Sequence, residues 1–546
     1  MPVFAAAQPY TLSIELIDGP ERQWPKDQVF SDSLTLQKEV SDFLRALRAD
    51  GHWGAKIESD EWLNSRLKVV VAKGPSIRWA SIEWDSTKNW ILDKDPKLHR
   101  WARQQIKGSN WLQWQQDVLA TAENNGYPFA RLQWKRLEFK SDSLFGSLSF
   151  VSGPLILIDS INVRGYDELT EAMIANTLGL KAGMPYSEKT LRNIPQEIRD
   201  IEYLSMPRSP QVLFSRDKTV VFVYVEKKKA NQFDGILGFN SNQDKLTLTG
   251  NVYLRLLNTF NRGEELILDW SSPGNTTQKL NIKGSYPFLF GWPWAIEGML
   301  DLVKQDSSFL NLESQFGLRY FISTRSSMSF SVLNKSGSRL DEEASMAIQD
   351  FRSVFYQGGI EWRTTDQRIS PKSGQRLSLL ASIGERTREG TRTTQLRSTL
   401  DFRNYWHFSR QWVLLNRIQG GILSRDLFSD QPQEQFVNEL FRFGGILTLR
   451  GFDEQSLLLS NYQIGTVELR LLSGPQSYFL AFTDFGRIES LANENQFEDW
   501  VLGLGVGGAF STPAGLLNLT YALGQRDNSG LQFNQAKVHI GLINSF

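Results

Sequence analysis

The sequence predicts α+β modules in series, followed by an all-β transmembrane barrel of about sixteen antiparallel strands. Three observations carry this. Residues 232–546 read as one run of strands of about ten residues, with apolar and polar side chains alternating. No stretch of about eighteen apolar residues exists to form a transmembrane helix, yet 34 Phe, 17 Trp and 42 Gly are spread along the chain. The residues before that run repeat one layout three times, which is the mark of small domains in series.

Composition removes several function classes. Sixty basic and sixty acidic residues give a formal net charge of zero. With no basic stripe, no nucleic-acid partner is expected. There is no cysteine, and the four histidines have no ligand spacing, so neither a metal nor another cofactor is expected. No Gly-x-Ser-x-Gly elbow or other catalytic constellation occurs, so the protein is expected not to be an enzyme. A mildly negative mean hydropathy suits strands with one lipid face and one wet face. Large soluble β proteins share it. At the N-terminus, Ala5-Ala6-Ala7 reads as the tail of a signal-peptide cleavage site.

The three modules are read as 8–75, 76–154 and 155–230, with the barrel at 231–546. Gly-Pro pairs at Gly74-Pro75 and Gly153-Pro154 close the first two modules, each after a strongly β run. A second landmark recurs at Asp50-Gly51-His52 and Asn125-Gly126-Tyr127, a helix-ending glycine followed by an aromatic residue. In the first module Leu36, Val40, Phe43, Leu44 and Leu47 share one helical face. A normal first helix is missing there. In the third module one helix is expected over roughly 168–178. A second starts at Ser187, its N-cap, with Glu188 in the first turn, and runs to about Asp200.

Past Lys229 the helical period stops. Glu468 and Arg470 share the polar face of one strand. Asp401 and Arg403 share the polar face of another. In the last strand, apolar Val538 and Ile540 alternate with Lys537 and His539. Charge on one face suggests a wet lumen, but a sandwich with its apolar face inward gives the same pattern. Trp270, Trp292, Trp294, Trp362, Trp406, Trp412 and Trp500 fall near strand ends, as interfacial girdles do.

Particular motifs resemble a known family. Ile161-Asn162-Val163-Arg164-Gly165, Gly183-Met184-Pro185-Tyr186-Ser187-Glu188 and Val221 to Glu226 are similar to the polypeptide-transport-associated (POTRA) domain, fold βααββ. In the barrel, Gly235-Ile236-Leu237-Gly238-Phe239 and Asn258 to Leu266 resemble the first strand and first hairpin of the BamA/TamA family of outer-membrane assembly proteins. Phe443-Gly444-Gly445 with Arg450-Gly451-Phe452 resembles that family's sixth extracellular loop, which folds back into the lumen. Phe482-Thr483-Asp484 resembles the strand that receives its arginine. Three modules are closest to the TamA branch. Two family charges are missing, at the positions of Ala509 and Thr520.

The resemblance implies a latch and a seam. Arg450 is expected to reach Asp484 and Glu468, with Gly451 allowing a sharp turn and Phe452 packing against the lumen. Alternation puts Glu468 inward; for Asp484 both faces of the strand are apolar. Gly503, Gly505 and Gly507 are expected to leave room for the loop backbone. Gly235 and Gly238 on the first strand, with Gly541, Asn544 and Phe546 on the last, would form a seam that opens at modest cost. The implied function is folding and insertion of β-barrel, autotransporter-like clients into the outer-membrane bilayer of a Gram-negative bacterium. The modules would lie in the periplasm, engaging clients or a TamB-like partner. A two-partner-secretion pore and the outer-membrane end of a lipid-transport bridge are the alternatives.

Overall fold

The computed structural model describes residues 10–17, 29–30, 33–63, 66–76, 79–84, 91, 94, 106–107, 111–140, 143–169, 171–242, 245–272, 277–305, 308–341, 349–388, 390–424, 435–492, 496–512, 515–527 and 530–543. The Ala5-Ala6-Ala7 stretch, the segment where a first helix of module one would fall, and Asn544 and Phe546 lie outside these residues.

The first two modules are built alike. In the first, helix Ser33–Ala49 accompanies a sheet in the order Val29–Phe30, Tyr10–Leu16, Arg66–Ala72, Lys56–Leu63. In the second, helix Trp111–Glu123 accompanies Ile106–Lys107, Trp79–Trp84, Ser143–Val151, Arg131–Lys140. Each central pair is parallel and each outer hairpin antiparallel. The hairpins carry their bulges at matching places, between Ile57 and Ser59 and between Trp134 and Arg136. Both helices stop on a glycine at φ +95°, Gly51 and Gly126. The next amide reaches back five residues, His52 N to Leu47 O and Tyr127 N to Ala122 O, both at 3.0 Å. Only glycine holds that left-handed φ without cost. Leu36, Val40 and Phe43 bury the helix's apolar face against Leu12, Ile14, Leu67, Val69 and Val71.

The third module has strands Ser160–Arg164, Gln211–Phe214 and Thr219–Tyr224. Its helices are Glu171–Thr177, shorter than expected, and Glu188–Arg199. The amide of Thr190 donates to Ser187 Oγ at 3.3 Å, the N-cap bond. The earlier helix is shorter because residues 166–169 form a turn instead, with Leu169 N donating to Tyr166 O.

Two compact units divide the chain. One holds residues 1–160, 182–193 and 212–220; the other holds 161–181, 194–211 and 221–546. Within the second unit, Tyr166, Asp200 and Glu202 meet the barrel's turns. Asp200 accepts from Arg325 Nε at 2.7 Å and lies 3.3 Å from Arg363 Nη2. Glu202 pairs with Arg255 and Arg368, and Tyr166 Oη accepts from Asn258 Nδ2 at 3.1 Å.

The barrel is one sixteen-stranded sheet of sequential antiparallel neighbours. Its strands are Gln232–Asn242, Lys245–Leu257, Glu265–Ser272, Thr277–Tyr286, Trp294–Gln305, Phe309–Ser323, Ser326–Arg339, Phe351–Arg363, Gly374–Arg388, Thr391–Ser409, Trp412–Leu423, Asn461–Leu472, Tyr478–Ser490, Phe497–Thr512, Gly515–Arg526 and Lys537–Ile543. Its faces are inverted relative to a soluble sandwich. Phe316, Phe330, Tyr356, Val506 and Trp500 are more than half exposed, whereas Lys335, Gln357, Arg386, Glu468, Arg470 and Asp484 are buried. Polar groups are inside and apolar ones outside, which only lipid rewards.

One loop shows that the sheet is strongly curled. Gln455 accepts from Lys279 on the fourth strand, and Asp453 from Lys537 on the sixteenth. Twelve strands span about 58 Å in a flat sheet, but two residues of chain span at most about 7 Å. The sheet must therefore curl around the loop. Of the seven tryptophans expected at strand ends, Trp292, Trp294, Trp362, Trp406 and Trp412 lie at the end where the third module joins, and Trp270 and Trp500 at the other.

Candidate functional site

Between the eleventh and twelfth strands the chain turns inward. Phe441–Phe443 pairs with Leu457–Leu459 as a short antiparallel hairpin. Leu440, Phe441, Phe443, Leu449 and Leu459 bury themselves against Ile464, Ile488 and Val501 of the wall, with Phe452 packed alongside. Thr448 Oγ1 ties the tip by accepting from Gly444 N at 2.9 Å and donating to Gly444 O at 2.8 Å. Arg417 Nη1 holds the tip from the wall, donating to Leu447 O at 2.8 Å.

This places Arg450 in the lumen, only 9% exposed. Its Nε lies 2.9 Å from Asp484 Oδ2 and its Nη2 2.7 Å from Asp484 Oδ1, a two-pronged fork. The backbone amide of Arg450 also donates to Asp484, at 3.1 Å. Nη1 donates to Glu468, whose other oxygen accepts from Arg470 Nε at 2.8 Å. Thr466 Oγ1 adds a 2.8 Å bond to Asp484. The guanidinium carbon sits 3.4 Å from the centroid of the Phe482 ring, a cation–π contact. Asp484 and Glu468 are 1% and 4% exposed, so all these charges are paired in a water-poor site.

Gly451 has φ +92°, and a Cβ there would lie 2.7 Å from the Gly524 amide and the Leu523 carbonyl. The loop backbone thus lies directly on the wall. Gly503 is where it lies closest, since a Cβ on Gly503 would meet Arg450 O at 2.3 Å. The same role was expected of Gly505 and Gly507, and here the structure differs. A Cβ on Gly505 would meet the Phe482 ring, and one on Gly507 only Leu519 and Thr520 of the next strand. Register explains it: Asp484 pairs with Gly503, Phe482 with Gly505 and Leu480 with Gly507. The space beside Gly505 belongs to the ring under Arg450. The unforeseen loop-contacting glycine is Gly524, where a Cβ would meet Gly451 O at 2.4 Å.

Sequence reasoning also missed the last strand's hold on the loop. Gly451 N donates to His539 Nε2 at 3.2 Å, so that nitrogen carries no proton. Lys537 pairs with Asp453 at 2.8 Å, and Ile446 comes closest to Gly541. Alternation puts Lys537 and His539 on one face, which was the available signal. Where the family carries two charges, Ala509 is buried in an apolar cluster with Tyr478, Leu480 and Phe482, and Thr520 is buried too.

The first strand contrasts with this. Phe233, Ile236 and Leu237 are 75%, 70% and 59% exposed, and neighbours Ile236 and Leu237 point to opposite faces. Gly235 is exposed as well, and Gly238 half-buried. Among the described residues no ladder joins this strand to the last. The seam residues Asn544 and Phe546 lie outside the described residues.

Residues 240–542 match the model of the Omp85 superfamily domain. The fold resembles CdiB from Escherichia coli, with TM-score 0.53 at 12% identity, covering 93% of this chain and 96% of that one. It also resembles CdiB from Acinetobacter baumannii, with TM-score 0.51 at 14% identity, covering 92% and 98%. BamA from Haemophilus ducreyi lacking POTRA domains 1–3 aligns at TM-score 0.49 and 13% identity, over 85% and 100%. Comparison with curated protein sequences gave no match. The matched domain covers more than half of the chain, and its sixteen-stranded sheet, outward apolar surface and inward loop agree with it, so the chain belongs to the Omp85 superfamily as an outer-membrane β-barrel.

Proposed function

We propose that this protein is an outer-membrane insertase of the TamA kind, which folds and inserts β-barrel, autotransporter-like clients through a lateral seam. The observation that carries this is the exposed first strand, Gln232–Asn242, which among the described residues pairs only with the second strand and so keeps one free edge in a sheet of sixteen sequential neighbours. Its backbone edge is a template for a client strand, read through main-chain hydrogen bonds rather than sequence. Client folding supplies the free energy, without cofactor or catalytic chemistry. The modules face the periplasm of a Gram-negative bacterium. There the edge strand Lys56–Leu63, exposed at all eight residues, offers itself to clients or to a TamB-like partner. Passage of an unfolded chain through the lumen is the weaker reading, because the clasped loop occupies that space.

The test is a reversible tether. Cysteines at Gly235 and Gly541, in a chain with no native cysteine, would lock the first strand to the last. Client insertion into proteoliposomes should stop when the disulfide forms and return on reduction. Undiminished insertion by the oxidised protein would count against the seam.

A further inference from the structure

We infer that the lumen holds a binding site for a phosphate-bearing anion, in a cavity of about 290 Å³ beside Arg450. The cavity lies between two inward segments, the loop tip at residues 446–450 and the turn at 365–371 that follows the eighth strand. Its volume is far above the roughly 10–15 Å³ that one water needs, and leaves room for a phosphate group and part of its hydration.

Charge is the first argument. Seven arginines line the cavity, with Glu468 as the sole carboxylate among the lining residues. Of the carboxylates just behind them, Asp484 serves Arg450 alone, and the others are shared. Asp401 serves both Arg403 and Arg417. Glu468 serves Arg450 and Arg470. Asp200 serves Arg325 as well as Arg363, and Glu202 serves Arg255 as well as Arg368. Arg376 has no ion pair among the described residues. The local balance is therefore positive although the whole chain is neutral. A low-dielectric wall around excess cation concentrates anions.

Unpartnered atoms are the second argument. Arg363 Nη1 and Thr365 Oγ1 are buried donors without a hydrogen-bond partner, and both line this cavity; Asn518 Oδ1, an unpartnered acceptor there, would take the hydroxyl of a monoprotonated phosphate. Thr365 is 1% exposed, so its hydroxyl has nowhere else to turn. Buried polar groups left unmade are costly, and a ligand in the cavity would satisfy them. Planar guanidinium forks match the geometry of phosphate oxygens. The same chemistry comes from free phosphate or from a phospholipid headgroup.

Calorimetry on the full-length protein in a phosphate-free detergent distinguishes these sources. Inorganic phosphate and dihexanoyl phosphatidic acid would be titrated separately, with citrate as a carboxylate control. Saturable binding of phosphate assigns the free anion. Binding of the lipid alone assigns the headgroup. Either should weaken about tenfold or more in Thr365→Val and in Arg376→Gln. Arg376 is exposed, so its variant keeps the test informative if the buried Thr365→Val fails to fold. Absence of saturable binding by both phosphate ligands would overturn the inference. So would equal binding of citrate, or unchanged affinity in the variants.

Discussion

The arc of the barrel around Asp484 and the arc around Gly235 belong to one sheet but are built oppositely. Around Asp484, two strands and a loop share one network, in which a single carboxylate takes three hydrogen bonds from Arg450 and one from Thr466. Around Gly235, side chains on both faces are exposed, and a Cβ would meet only Asn251 and Val252 of the neighbouring strand. The difference teaches that stability is concentrated away from the seam. On the proposed function, a barrel that opened at one edge would need the rest of its wall pinned, and the loop would do the pinning from within. The loop also holds the last strand through His539 and Lys537, so latch and seam share an element.

The sharpest way to break this comparison is to remove the carboxylate. Asp484→Ala leaves Arg450 buried and half unpaired, and should destabilise the barrel by about 3–5 kcal/mol. Arg450→Lys keeps the charge but loses the fork, and should cost less, about 1.5–3 kcal/mol. Heat-modifiable migration of the detergent-solubilised barrel reads both. If lysine behaves like wild type, the two-pronged geometry is irrelevant.

A pair of glycine substitutions sharpens the contrast. At Gly503, alanine would place a methyl 2.3 Å from the carbonyl oxygen of Arg450, so the loop must shift, at a cost of about 1–3 kcal/mol. At Gly235 the closest atom is Asn251 O at 3.2 Å, and alanine should change stability by no more than about 0.5 kcal/mol. The temperature at which the barrel's heat-modifiable migration changes ranks them. Equal losses at the two positions would mean that the seam is as tightly built as the latch.

How much of this was legible in the sequence follows from what local pattern encodes. Strand alternation fixes a face, so Glu468 and Arg470 could be placed together, and the recurring glycines at 51 and 126 marked the repeat before any contact was known. Alternation failed on Tyr478–Ser490 because its inward face holds Phe482 as well as Asp484, and a ring under a guanidinium looks like ordinary apolar filling. It could not decide barrel against sandwich, since the sign of the environment outside is not in the chain. That needed the exposed Phe316 and Phe330 against the buried Lys335 and Arg386. The misplaced roles of Gly505 and Gly507, and the unforeseen Gly524 and His539, share one cause. A loop's path across a wall depends on long-range register, which no local period carries.

The smallest effect concerns how the third module meets the barrel. Glu197, half-buried on helix Glu188–Arg199, has its carboxyl pushed up to about 7. Burial is the main cause; Asp200 adds to it and Arg325 opposes it. A folded value above the unfolded one means that the neutral acid is preferred in the folded module. That contribution is complete below about pH 4.5 and disappears as pH rises through about 7. Ionised Glu197 would then compete with Asp200 for Arg325, which Asp200 holds at 2.7 Å, and Arg363 lies against the same carboxylate. Solvent screening at a half-buried site keeps the effect modest. Hydrogen exchange of amides 194–204 should be slower at pH 5.5 than at pH 8.5, once corrected for intrinsic rates, and Glu197→Gln should flatten the difference. Protection that instead increases with pH would reverse the sign and assign Glu197 to pairing with Arg325. The pinned contact would then extend from the lumen into the module.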